Sequence, residues 1–342
     1  MAAQDRVLVT GASGFLAKQC IAALIQKGYR VRGTLRRPEA ASEVVAAVST
    51  IADCSGSIEF TELDLNSDRR WDEAARGCRY LLHVASPFPL KVPDNPDELI
   101  APARDGTRRA LEAAARAGIE RCVLTSSTVA IVSGHLPSQG KVYTEADWTD
   151  ADSQTITPYP LSKTLAERAA WDFIANDKSG MTLVAINPGL ILGPLLDRNS
   201  GSSVELISLL LKGAYPAVPR VHFSIADVRD VAAMHVAAME NPNAAGQRFV
   251  CATDAVWTKE ISLILLKHFP AFRRKLPTRE IPDFIVRIAA LFDSRLKATI
   301  PELSASKDVS NEKASSLLDL KFRSSEQAII ATAQSLIDFD MV

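Results

Sequence analysis

The sequence predicts an α/β fold, a doubly wound parallel sheet with a smaller C-terminal lobe, and three observations predict it. Short apolar runs alternate with longer stretches of helical spacing from Val7 to Pro188. The first run ends in a glycine-bearing turn, "TGASGFLA" (10–17), that opens directly into an amphipathic stretch. Beyond Pro188 the alternation stops, and helical stretches are broken at Pro270, Pro277, Pro282 and Pro301. Strand–helix alternation is the pattern of a parallel sheet, because each strand needs a long crossover before its neighbour can run the same way.

The elements follow in order. Val7–Val9 is a short apolar strand. Apolar residues at 15, 16, 21, 24 and 25 fit a helix over Phe15–Gln26, and Gly28 stops it. "YRVRGTLR" (29–36) alternates as a strand, 39–52 is helical, and "IEFTELDL" (58–65) is a third strand. A helix over 68–77 precedes the strand "YLLHVAS" (80–86). An Ala/Arg-rich helix over 97–117 precedes "RCVLTSS" (121–127), and a helix over 160–178 precedes "TLVAINP" (182–188). Later come a helix over 204–213, the turn "AYPAVP", a helix over 226–240 and a last strand, 247–253. Asp227 fits the N-cap of the 226–240 helix, with Arg229 and Asp230 as ion-pair partners.

Composition narrows the classes. The 342 residues suffice for one large α/β domain or two lobes, and 47% hydrophobic with 23% charged residues is ordinary for a packed core. A net charge of −1 offers no basic excess for nucleic acid or an anionic membrane surface. The cysteines at 20, 54, 78, 122 and 251 are odd in number and scattered, which fits free thiols rather than a disulfide framework or a zinc site; no metal is expected. The N-terminus lacks a signal-peptide pattern, and no run reaches the roughly 18 apolar residues of a membrane span. The expected protein is cytoplasmic.

The glycine turn carries the first chemistry. Gly11 takes a tight turn, Gly14 lets backbone approach a phosphate, and Ala17 lets the new helix pack close to the sheet. The free N–H groups of that helix then face an anion, with the helix dipole in support. Such a turn between the first strand and first helix is the phosphate-binding signature of a Rossmann dinucleotide fold. An NAD site would place Asp or Glu at the end of the second strand. That place reads "GTLRRP", so Arg36 and Arg37 favour the 2′-phosphate of NADPH. Asp64-Leu65, at the end of the third strand, fits an adenine contact and equally an ordinary strand end. Residues 1–190, with 220–253 returning to them, read as the dinucleotide-binding domain; 191–219 and 254–342 read as the smaller substrate-binding lobe.

A second cluster follows. Tyr159 and Lys163 lie at i and i+4, on one face of a helix. An ammonium so placed lowers the pKa of a phenol and suits it to acid–base work. Pro160 is tolerated in a first turn, which puts Tyr159 at the helix start. Ser127 ends a strand at the carboxyl edge of the sheet, where its hydroxyl can donate to an oxygen that gains negative charge. His83 reads as a packed or hydrogen-bonded strand histidine. His222 and His235 lack metal-ligand spacing and read as structural.

With these residues in view, the chain resembles the extended short-chain dehydrogenase/reductases, in the dihydroflavonol-reductase-like branch. The matching stretches are "VLVTGASGFLA", "YRVRGTLR", "LLHVASPF", "VLTSST", "YPLSKTLAERAAW", "INPGLILGP" and "DVRDVAAMH". The resemblance implies a catalytic triad of Ser127, Tyr159 and Lys163. Tyr159 would give its proton to the carbonyl oxygen, Lys163 would hold the nicotinamide ribose and Ser127 would orient the carbonyl. Hydride would come from nicotinamide C4. It implies pyrophosphate contacts from Gly11, Ser13, Gly14, Phe15 and Leu16, and a 2′-phosphate contact from Arg36. Asp64 and Leu65 would meet adenine; Val84, Ala85 and Ser86 would line the ribose side. Pro188, Gly189, Leu190 and Ile191 would seat the nicotinamide amide, and Ser203 would make a late phosphate or ribose contact. The branch contains monomers and homodimers.

Two departures from the wider pattern stand out. Many short-chain enzymes carry a relay Asn on the helix before the Ser strand, and "APARDGTRRAL" (101–111) has none. Where plant flavonoid enzymes carry a polar specificity residue, "TVAIVSGH" (128–135) offers mainly apolar groups. Phe88, Leu90, Val129, Leu190 and Tyr215 are therefore expected to form an apolar pocket for an aryl or alkyl ketone, a ketoester or an aldehyde; Phe88 and Leu90 equally fit a packed loop. The expected activity is NADPH-dependent reduction of a small-molecule carbonyl. Rival readings are an NAD(P)-dependent sugar-nucleotide epimerase or dehydratase and a non-catalytic, redox-sensing NADP-binding protein.

Overall fold

The computed structural model describes residues 5–86, 95–135, 140–292 and 299–342. Its centre is a seven-stranded sheet. From one edge to the other the strands are Arg248–Cys251, Thr182–Pro188, Arg121–Thr125, Tyr80–His83, Arg6–Val9, Arg30–Leu35 and Ile58–Glu62, all parallel. The order reverses at Arg6–Val9, and the crevice above a reversal point is where such sheets bind ligands.

The short apolar runs are strands because both faces are covered. Period-two alternation sends Val7 and Val9 to one face and Leu8 to the other. On the first face they meet Cys20, Ile21 and Leu24 of the helix Phe15–Gln26, with the helix Val228–Glu240 beside it. On the second face Leu8, Leu81 and Cys122 meet Ala110, Leu111 and Ala114 of the helix Asp97–Arg116. Small residues let that helix lie close against the helix Pro158–Asn176, whose Ala170 joins the same core. Each fully buried Leu or Val contributes about 1.5–3 kcal/mol relative to exposure.

Several boundaries differ from expectation. The helix over 68–77 is only Trp71–Ala75, and the strands expected to reach residues 86 and 127 end at His83 and Thr125. The residues after those two strands leave the ladder and turn into the crevice. The helix expected from 226 begins at Val228. Asp227 caps it, its side chain accepting from the Arg229 N–H, and the preceding His222–Asp227 is a strand. That strand joins Leu190–Leu192 and Ala255–Trp257 in a separate three-stranded sheet. Arg229 pairs with Asp227, and Asp230 pairs with Arg323. The C-terminal helices include Thr258–His268, Asp283–Ala289, Glu312–Leu317 and Ser325–Asp338, the last opened by a capping box of Ser324 and Gln327. Among the described residues no helix is long and apolar enough to cross a membrane.

Candidate active site

A cleft of about 570 Å³ lies at the carboxyl ends of the central strands. One end is built on the glycine turn. Gly11 has φ +68°, and a Cβ there would sit 2.9 Å from the Ala85 Cβ, so a side chain would be strained and would strike the opposite wall. The turn is held open by named bonds. The Gly11 N–H donates to Thr34 Oγ1 (3.0 Å), the Gly14 N–H to the Gly11 carbonyl (2.8 Å) and the Ala85 N–H to Thr10 Oγ1 (3.0 Å). Ser13, Gly14, Phe15 and Leu16 line the cleft at this point, and Val84, Ala85 and Ser86 face them.

Arg36, Arg37, Asp64 and Leu65 line the same cleft at the ends of the second and third strands. Both arginines are exposed, and among the described residues neither makes an ion pair. Their guanidinium donors are available to an anion beside the turn. Thr34, Leu35 and Asn66 also line this region; no linear motif announced them.

A strap closes the other side of the turn. Gly201, Ser202 and Ser203 line the cleft, and the segment before them is tied to the first helix. Asn199 donates to the Ser13 carbonyl (2.9 Å), Gln19 donates to the Pro194 carbonyl (3.1 Å), and Lys18 pairs with Asp197. The Lys18 side chain is 1% exposed; burial pulls its pKa down and Asp197 opposes that. Replacing Asp197 with Ala strands this ammonium. The expected result is a loss of about 1–3 kcal/mol of stability and weaker dinucleotide binding, read from thermal unfolding with and without the dinucleotide.

The far end holds the candidate chemistry. Thr157 precedes the helix Pro158–Asn176 as its N-cap residue, and Pro158 and Pro160 fall in the first turn, where missing N–H groups are harmless. Tyr159 and Lys163 therefore share one face above the strand end that carries Ser127. Tyr159 and Ser127 are joined by a side-chain hydrogen bond. The Lys163 ammonium donates to the Thr125 carbonyl (3.4 Å), and the Val129 N–H donates to Ser127 Oγ (3.3 Å). Burial pushes the Tyr159 phenol up, with the Ser127 hydrogen bond opposing. The lowering of the phenol expected from Lys163 does not act here: burial is the largest effect, the Ser127 hydrogen bond opposes it, and the net direction is up. Burial pushes Lys163 down to about 8, with the Glu167 charge opposing.

Pro188, Gly189 and Ile191 line the cleft beside this cluster, while Leu190 packs against the core on the alternate face of its strand. Neither Val129 nor Tyr215 lines the cleft, and Phe88 and Leu90 lie outside the described residues. His83 is 2% exposed, meets Thr10 Oγ1 through Nδ1 (3.1 Å) and is pushed down to about 3 by burial, so it stays neutral. His235 bridges Thr125 Oγ1 (2.7 Å) and the Val231 carbonyl (2.8 Å) as a core group.

The residues present fit a phosphorylated dinucleotide. A cradle without side chains faces the helix start, uncommitted arginines sit at one end, and a phenol, a hydroxyl and an ammonium converge at the other. Fold and crevice together define a Rossmann-type protein of the extended short-chain dehydrogenase/reductase class. The chain belongs to the NAD dependent epimerase/dehydratase family, whose model matches residues 7–252. It is similar to cinnamoyl-CoA reductase CAD2 of Medicago truncatula, 33% identical over 334 residues, covering 96% of this chain and 95% of that one. It is similar to the ketoreductase azaE of Aspergillus niger, 34% identical over 299 residues, covering 81% of this chain and 86% of that one. In three dimensions it matches the crystal structure of yeast methylglyoxal/isovaleraldehyde reductase Gre2 complexed with NADPH. The TM-score is 0.83 with 25% identity, over 98% of this chain and 99% of that one.

Proposed function

We propose that this protein is an NADPH-dependent carbonyl reductase that converts aldehydes or ketones to alcohols. The observation that carries the reading is the convergence of Ser127, Tyr159 and Lys163 on one end of a cleft whose other end presents Arg36 and Arg37. Bound NADPH supplies the hydride. Arg36 would hold its 2′-phosphate, the backbone of Gly11–Leu16 would face the diphosphate and Lys163 would hold the ribose hydroxyls.

Ser127 and Tyr159 then act on one substrate oxygen. The Ser127 hydroxyl donates to the carbonyl and fixes its orientation. As negative charge develops on that oxygen, the Tyr159 phenol gives it a proton. Lys163 lies one turn away, where its ammonium stabilises the phenolate left behind.

In this reading residues 191–219, 254–292 and 299–342 are the substrate-binding lobe, packed on the same core as the sheet, with Ile191, Asn199, Gly201, Ser202 and Ser203 reaching the cleft. The substrate class of the reading stays an aryl or alkyl ketone, a ketoester or an aldehyde; the apolar run after Ser127 does not select it, because Ile131 and Val132 pack against Tyr143 in a small core instead of lining the cleft. The test is NADPH oxidation over a panel of aryl ketones, ketoesters, diketones and aldehydes. Turnover of at least one class is expected. No turnover of any, together with thermal protection by a uridine nucleotide, would move the assignment to a sugar-nucleotide epimerase or dehydratase.

A further inference from the structure

Behind the candidate triad lies a charged residue that no part of the mechanism above uses. Glu167 stands one turn beyond Lys163 on the same helix and has no exposed surface. One of its carboxylate oxygens accepts from Ser126 Oγ (2.5 Å) and Asn187 Nδ2 (2.8 Å). The other accepts from Arg248 Nε (2.6 Å) and Trp171 Nε1 (3.3 Å). Asn187 Nδ2 also donates to the Ser127 carbonyl (3.1 Å). Arg248 is anchored in turn to the carbonyls of Glu145 (2.8 Å) and Asp147 (2.7 Å) and lies over the Trp148 ring.

We propose that Glu167 is a positioning residue, resting on the reductase reading: it sets the Ser127 loop through Ser126 and Asn187 and, from the small cavity it lines together with Lys163, faces that ammonium as its counter-charge. An ion pair buried this deeply adds little net stability against a well-packed apolar replacement. Its contribution lies in where the carboxylate points. It ties the ends of two neighbouring strands to the helix that bears Tyr159 and Lys163.

Among the described residues, the groups packed around Lys163 leave Glu167 as its counter-charge. Tyr159 and Glu167 come from its own helix, and the Thr125 carbonyl comes from the strand beneath. His83, from the strand Tyr80–His83, is held neutral by burial. Arg248 stands behind Glu167 on the edge strand, so loss of the carboxylate leaves a cation near Lys163 and disfavours a second one.

The experiment compares wild type with Glu167→Gln, which keeps shape and removes charge. Competitive labelling of Lys163 with acetic anhydride across pH 6–10, read by peptide mass spectrometry, reports its titration without any turnover. The labelling midpoint is expected to move at least about one unit lower, and the alkaline limb of kcat with NADPH to move with it while KM changes little. A folded variant with the wild-type midpoint overturns the proposal whatever its activity. If the single variant does not fold, Arg248→Gln decides from the other side: freeing the carboxylate of its cation is expected to raise the Lys163 midpoint, and a folded variant with an unmoved midpoint overturns the proposal. A wild type that labels as expected yet reduces no carbonyl sinks the reductase reading alone.

Discussion

Replacing Tyr159 with Phe is expected to lower kcat for carbonyl reduction by about 10²–10⁴-fold, the range for loss of a positioned general acid. The substitution deletes one hydroxyl and keeps the ring. The helix start is set by Thr157, Pro158 and Pro160, so it does not depend on the phenol oxygen. Ser127 keeps its contact with the Val129 N–H, and its hydroxyl still reaches the Pro188 carbonyl (3.4 Å). NADPH binding is therefore expected to change little, and the loss to fall on kcat with KM nearly constant. That split marks an interaction made in the transition state. NADPH titration by fluorescence and steady-state turnover on the best panel substrate check both halves. Intact turnover in this variant would remove the acid role from Tyr159.

The second large effect concerns coenzyme choice. Arg36→Ala is expected to lower kcat/KM for NADPH by tens of fold and to leave NADH nearly untouched. A hydrogen bond to a charged group contributes about 1.5–3 kcal/mol, and a guanidinium facing a phosphate offers two. Arg36 is exposed and commits no ion pair to the protein among the described residues, so its removal breaks no ion pair there. Arg37, one residue on, limits the loss. Paired kcat/KM values for the two coenzymes settle the point, and higher wild-type efficiency with NADH would defeat the assignment.

Much of this was legible in the linear sequence, for a physical reason. Helices and buried parallel strands repeat locally, and the turn "TGASGFLA" and the pair Tyr159/Lys163 do their work within one or two turns of chain. Short strands were harder. His222–Asp227 runs into the following helix at its cap, so the expected helix starts two residues early, at 226, and the strand before it goes unread, while Leu190–Leu192 is too brief to show alternation. The contacts that reinforce the site were not legible at all. Lys18 and Asp197 are 179 positions apart, and Glu167 and Arg248 are 81 apart. A charged residue in a helical run looks solvent-facing until the fold brings its partner to it, and nothing in the spacing names that partner.

The place of Arg248–Cys251 at the sheet edge has a consequence for how the chain is made. Thr182–Pro188, buried along almost its whole length in the finished protein, is synthesised well before the strand that pairs with its outer side. Until then the nascent sheet presents a sticky, unpaired rim of the kind that recruits other chains. Ribosomal pausing or premature termination within that interval therefore carries the greatest risk of clumping, and chaperone demand should peak there.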